Sequence, residues 1–277
     1  MGAFENQTAK DAPFGDVEGK SVELLVSTGA DVIDPTDGKT SLREALGYDD
    51  ITIRFTGAHT VKVGETALQV NSPVTILGRN GVIDCLNANS AFLVDTKGLV
   101  VIENLEITNG SAIDGGGIKL TGGELVLANV LIDNCEAQIY GGALYADAGT
   151  KATLYNVTIA KNVAVEGAGV YGAAGSNVKI YNSIVAANLS ATAGVSPTDV
   201  YFAGNDFELA FTLVGNAGTE ANAAKLRAKS TGSLIGYGVD REINPSFINA
   251  SSGDFRLTVT PVSLCVIKCH DLLSLRQ

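Results

Sequence analysis

Aliphatic residues recur along this chain at two periods, one short and one long. Within Val100–Asn109, Leu125–Asn134, Ala152–Asn162 and Val178–Asn188 they take alternate positions, the side-chain period of a strand rather than a helix. These segments return at intervals of 25, 27 and 26 residues, counted between Asn104, Asn129, Asn156 and Asn182. Two positions before each Asn stand Ile102, Leu127, Leu154 and Ile180; three after it stand Ile107, Ile132, Ile159 and Val185. A second block, Gly116-Gly117-Ile118, Gly142-Ala143-Leu144 and Ala168-Gly169-Val170, keeps an interval of 26.

Repeats of this length belong to solenoids, in which a unit that cannot bury its own apolar face stacks on its neighbours. Asn and Gly tolerate left-handed backbone angles that β-branched residues avoid. A strand, a tight Asn turn, a second strand and a Gly-rich bend into a third make one coil of a parallel β-helix. The structural repeat is therefore carried by Asn104, Asn129, Asn156 and Asn182 together with Gly116, Gly142 and Gly169. Gly78 takes the Asn place one repeat earlier, after Val74–Leu77. Coils stack ~4.8 Å apart, and parallel crossovers make the winding right-handed. No proline lies between Pro73 and Pro197, where every backbone donor is needed by the neighbouring coils. The fold class predicted is all-β: a single-stranded right-handed parallel β-helix of eight to ten coils, spanning residues 61–257.

The flanks read differently. Residues 1–20 are a polar lead-in with no charged-then-apolar secretory pattern, so no signal peptide is expected there. Residues 21–60 form an N-terminal cap, with strands at Ser21–Thr28 and Ile51–Phe55 and a short helix over 41–47. Ser41 and Glu44 have capping-box spacing, and Leu42, Ala45 and Leu46 share an apolar face suited to lidding the first coil. Residues 258–277 form an atypical tail containing Cys265, Cys269 and His270, and no metal site is expected from that string.

Composition narrows the chemistry. Between residues 101 and 200 four Lys/Arg face nine Asp/Glu, so there is no basic stripe for nucleic acid or anionic lipid. No apolar run approaches the ~20 residues of a spanning helix, so no membrane insertion is expected. Cys85 and Cys135 fall in one column two coils apart, too far for a disulfide. Asp114, Asp133, Asp147 and Glu166 sit near bends and read as turn formers rather than catalytic acids. Asp133 and Glu136 are the one pair placed to hold calcium, but two carboxylates do not define a site, so no cofactor is expected. Asn156 and Asn188 head glycosylation sequons yet belong to turn columns. One outward feature remains. Lys119, Tyr145 and Tyr171 follow the column Ile118, Leu144 and Val170, while Tyr155 and Tyr181 precede anchoring asparagines. Each Tyr pair should stack on adjacent coils, either as a cross-strand ladder or as a ligand-contact surface.

Val26–Leu46 (VSTGADVIDPTDGKTSLREAL) resembles the N-terminal motif of bacterial surface proteins named for a Cys-Ser-Leu-Arg-Glu-Ala string, with Thr40 in the Cys place. The Gly-Gly-aliphatic and Asn-x-Thr-Ile repeats are similar to those of polymorphic outer-membrane proteins, whose β-helices, pectate-lyase-like solenoids, are autotransporter passengers. The two resemblances cover about residues 22–190, and Asn244–Leu257 is similar to the last coils of related proteins. They imply an exported domain at the cell surface or outer membrane: a stalk, adhesive toward glycans or host proteins, without catalysis. The tail departs from the pattern as a frameshift or truncation would. The alternative is a polysaccharide lyase, glycoside hydrolase or carbohydrate-binding module on the same scaffold. Oligomeric state is not readable from the residues.

Overall fold

The computed structural model describes residues 22–258, so the lead-in over 1–20 and the tail with Cys265, Cys269 and His270 lie outside the described residues. The repeat winds as expected, with three parallel faces. On the first face Ile76, Ile102, Leu127, Leu154, Ile180 and Leu209 stand in register, rung upon rung. All six are fully buried. The second face stacks Ile83, Ile107, Ile132, Ile159, Val185 and Val214. The third stacks Leu68, Phe92, Ile118, Leu144, Val170 and Val200. These files meet in one dry core. Removing a side chain from such a core costs about 2–5 kcal/mol for Leu→Ala.

The corners follow from backbone preference. Asn104, Asn129, Asn156 and Asn182 all turn the chain at φ 50–54. At the other bend the left-handed residues are Gly115, Gly141 and Gly167, one or two places before the glycines the repeat singles out. Gly116, Gly142 and Gly169 serve close approach instead. A Cβ on Gly116 or Gly142 would fall 2.4 Å from a carbonyl oxygen, and one on Gly169 2.4 Å from Val185. Gly78 also differs from expectation. Its corner holds two extra residues, and Arg79 (φ 50) and Asn80 (φ 61) make the left-handed turn. Gly78 is needed for space, since a Cβ there would sit 2.4 Å from Leu105.

The N-terminal lid is a single helical turn, Leu42–Ala45, with Ser41 as N-cap. Ser41 Oγ accepts the Glu44 N–H at 3.1 Å, while Glu44 Oε2 accepts the Ser41 N–H at 2.8 Å. Leu42 and Ala45 point into the core. Arg43 binds both carboxylate oxygens of Asp31, at 2.7 and 2.8 Å, and donates to Thr66 O at 2.7 Å, fastening the lid to the first coils. Every residue of the Ser-Leu-Arg-Glu-Ala string thus has a physical task in closing the rod.

The solenoid makes about 7 turns, not eight to ten. Length divided by period overcounts because the loop over 191–198 lengthens one coil and residues 237–257 leave the winding. A second helix, Glu220–Arg227, stands where the next third-face strand would fall. Its Asn222 Nδ2 donates to Val200 O at 3.0 Å and its Lys225 Nζ to Phe202 O at 2.5 Å, covering the open edge of that face. Phe247–Asn249 and Asp254–Leu257 then pair antiparallel, so this stretch is a hairpin and not a last coil. Its Phe247 and Leu257 pack over Ile184, Ala186 and Leu213 on the outside of the second face.

Candidate functional site

The sequence-predicted contact residues fall into two groups on different faces. On the third face Lys119, Tyr145, Tyr171 and Tyr201 stand side by side on four successive coils. Ring centroids are 5.7 Å apart for both Tyr145–Tyr171 and Tyr171–Tyr201, with interplanar angles of 8° and 17°. Lys119 Nζ lies 5.7 Å from the Tyr145 centroid and 3.5 Å from Asp114 Oδ2. Tyr140 reaches across the Gly141 bend and stacks on Tyr171 at 4.3 Å. Tyr171 is consequently only 8% exposed. Because neighbouring rings cover one another's faces, a ligand here meets ring edges and hydroxyls.

Acidic side chains rim this row. Tyr145 Oη donates to Asp147 Oδ1 at 3.2 Å. Burial, then the Asp147 charge, push the Tyr145 phenol up to about 12. Burial, then Tyr140 and Glu166, do the same to Tyr171. Tyr145 and Tyr171 therefore present neutral hydroxyl groups at any ordinary pH.

On the first face Tyr155 and Tyr181 stack at 5.3 Å, and Tyr181 Oη donates to Glu208 Oε2 at 3.0 Å. Tyr155 is 42% exposed and the more accessible of the pair. Tyr140 and Tyr201 were not among the sequence candidates. Tyr201 follows Val200 just as Tyr171 follows Val170, but the inserted loop over 191–198 stretches the interval to 30 residues. Tyr140 belongs to a fourth, small sheet of Ser111–Asp114, Glu136–Tyr140, Val163–Ala164 and Leu189–Ser190, which the period does not announce.

The acids are placed as follows. Asp114 pairs with Lys119, and Asp147 with Tyr145 and the Ala148 N–H. Asp133 is nearly buried and accepts from Asn134 Nδ2 at 2.5 Å, while Glu136 is exposed on another strand. Asp84, Glu106 and Asp133 lie on three successive coils of the second face. Burial, followed by the charges of Asp133 and Asp84, holds the Glu106 carboxyl above its ordinary range; burial likewise raises Asp133. Among the described residues no group of three or more His, Cys, Asp or Glu side chains converges to hold a metal ion. Cys85 and Cys135 are free, buried thiols. The Asn188 sequon is buried, its amide engaged with Asp199 at 2.7 Å.

No curated protein and no solved structure matches the chain. Residues 70–223, more than half of its length, match the family described as a right-handed beta helix region. The stacked files and parallel registers above supply the structural content of that match, and the chain belongs to the right-handed β-helix family.

Proposed function

We propose that this β-helix is a non-catalytic scaffold carried outside the cell, a stiff rod that contacts glycans or cell-surface proteins through its tyrosine rows. The observation that carries the reading is the row Lys119–Tyr145–Tyr171–Tyr201, repeated on four coils and rimmed by carboxylates. A parallel sheet holds such groups at a fixed ~4.8 Å spacing, so a ligand pays little ordering entropy on the protein side. The export half of the proposal is supported by the Ser41–Ala45 string and by the repeat resemblance.

The test uses Tyr145→Phe combined with Tyr201→Phe. This keeps the stack and deletes two hydroxyls, and binding to a glycan array and to whole cells is then measured. The reading expects at least a tenfold loss of binding with unchanged circular dichroism. Unchanged binding would remove the row as a contact surface. Protease shaving of intact cells tests the location separately.

One observation favours a second reading, a carbohydrate-cleaving enzyme: the raised carboxyls of Glu106 and Asp133 on neighbouring coils. Perturbed acids of this kind also mark general acid–base sites. Release of reducing ends or of ultraviolet-absorbing unsaturated products, abolished by Glu106→Gln, would establish it over the scaffold.

A further inference from the structure

A groove of roughly 570 Å³ runs between the outer wall of the second face and the tip of the C-terminal hairpin. The wall contributes Asn129, Leu131, Asn156 and Thr158; the hairpin contributes Phe255 and Arg256. Its size falls within the ~300–1,000 Å³ of small-molecule sites, which combine apolar lining with a few fixed polar groups.

The polar groups have a definite character. Asn129 and Asn156 are held one coil apart by their left-handed turns, both at φ 54, so backbone geometry fixes where each amide projects. Asn156 Nδ2 donates to Asn129 Oδ1 at 3.3 Å. That bond leaves one amide N–H₂ and one amide oxygen at successive levels, and Thr158 also lines the groove. The groove's only formal charges cancel, because Arg256 is forked onto Asp254 at 2.9 and 2.7 Å. Phe255 and Leu131 supply apolar surface on opposite sides. Tyr155, the most exposed tyrosine of the candidate surfaces, directly precedes Asn156 on the first-face side of the same corner.

From this we infer that the groove is a binding site for a neutral oligosaccharide, its vicinal hydroxyls paired with the Asn129–Asn156 amide ladder and its carbon face against Phe255. Amides exchange hydrogen bonds with alcohols in both directions, as donor and acceptor. A neutral lining disfavours uronic or sialic acids, and the chain's net charge of −11 repels them further. The ligand class rests on the scaffold reading above, whereas the place of the site rests on the groove alone.

The experiment uses substitutions that spare the turn. Asn129→Gly and Asn156→Gly keep a residue that accepts positive φ and delete only the amide. Asn104→Gly and Asn182→Gly, in the same column one coil to either side and outside the groove's lining, are the controls. Titrations with cellotriose, maltotriose and triacetylchitotriose, followed by ligand-detected NMR, provide the readout. Saturable binding of at least one sugar, weakened tenfold or more in the two groove variants and unchanged in the two controls, is the expected result. No binding by the parent protein at millimolar sugar overturns the proposal, and so does binding that all four variants share or all four lose. If protease shaving instead places the chain inside the cell, the scaffold reading falls and the titration result stands.

Discussion

Asn104, Asn129, Asn156 and Asn182 turn the backbone on the outside of the rod, whereas Asn162 and Asn188 bury their amides in the next corner. The first set is chosen for φ, 50–54 at each position, and its residues are exposed or half-buried. The second set works through its side chains. Asn162 Oδ1 accepts the Cys135 N–H at 2.9 Å, and Asn188 Oδ1 accepts both the N–H and the Nδ2–H of Asn162 at 3.0 Å. Asp199 closes the file, taking the Asn188 N–H and Nδ2–H at 3.1 and 2.7 Å and the Asn216 N–H at 2.6 Å. The same residue type thus answers two different demands, one conformational and one of hydrogen-bond satisfaction. Substitution should separate them cleanly.

The buried file offers the largest effect, through pH. Burial raises the Asp199 carboxyl from 3.8 to about 7, against the pull of its Asn188 and Asn216 donors and with a smaller push from Glu242. The folded-state value lies above the unfolded one, so the penalty from this group is absent below pH ~4, grows as pH rises to ~7 and levels off beyond. The gap is worth about 4 kcal/mol. Glu106 and Asp133 slope the same way, so the measurement is the difference between parent and Asp199→Asn in urea unfolding at pH 4 to 8. Parallel curves for the two proteins would refute the assignment. Next comes Asn188→Ala, which strips the Nδ2 donor from Asp199 and the Oδ1 acceptor from Asn162. A loss of about 3 kcal/mol at pH 7 is expected, and a loss below 1 would mean the file is not a connected network.

The contrast also explains what was readable beforehand. Ile102, Leu127, Leu154 and Ile180 announced the core because burial demands the same side-chain class on every coil. The turn asparagines announced the corner because few residues accept φ near 54. The buried file was half visible. Cys85 and Cys135 were placed in one column, but that column becomes Asn162 and Asn188 further on, and its last partner, Asp199, comes from the opposite bend. Beyond residue 190 the loop over 191–198 breaks the period, and the helix Glu220–Arg227 and the hairpin lie outside it. The helix had a local signal in Thr219, whose Oγ1 caps the Asn222 N–H at 3.2 Å. Of the candidate surfaces, the Tyr145–Tyr171 and Tyr155–Tyr181 stacks followed from spacing alone. Tyr140 and the groove required knowing how bends and hairpin fold back.

Within the conformational file, the outlier is Phe211, which holds the Asn place on its coil at φ 51. A bulky residue there carries strain of order 1–2 kcal/mol. Its ring covers Gly232 yet remains 43% exposed, so little burial offsets that cost. Phe211→Asn should stabilise the protein by about 1 kcal/mol, seen as a higher urea midpoint at unchanged slope. A destabilised variant would show that covering Gly232 outweighs backbone relief.

The smallest effect belongs to Asn156→Gly, and its smallness is what the comparison turns on. Glycine accepts φ 54 without strain, so the corner keeps its shape. The substitution removes one long hydrogen bond at a half-exposed position, the 3.3 Å contact to Asn129, which water replaces at little cost. The unfolded chain gains freedom, a penalty of about 0.5 kcal/mol. The expected loss is therefore about 0.5 kcal/mol, several-fold below that of Asn188→Ala one corner away. Equal losses at the two positions, read from the same urea titration, would mean that both files hold the rod together in one way and that the outer amides are not free to serve a ligand.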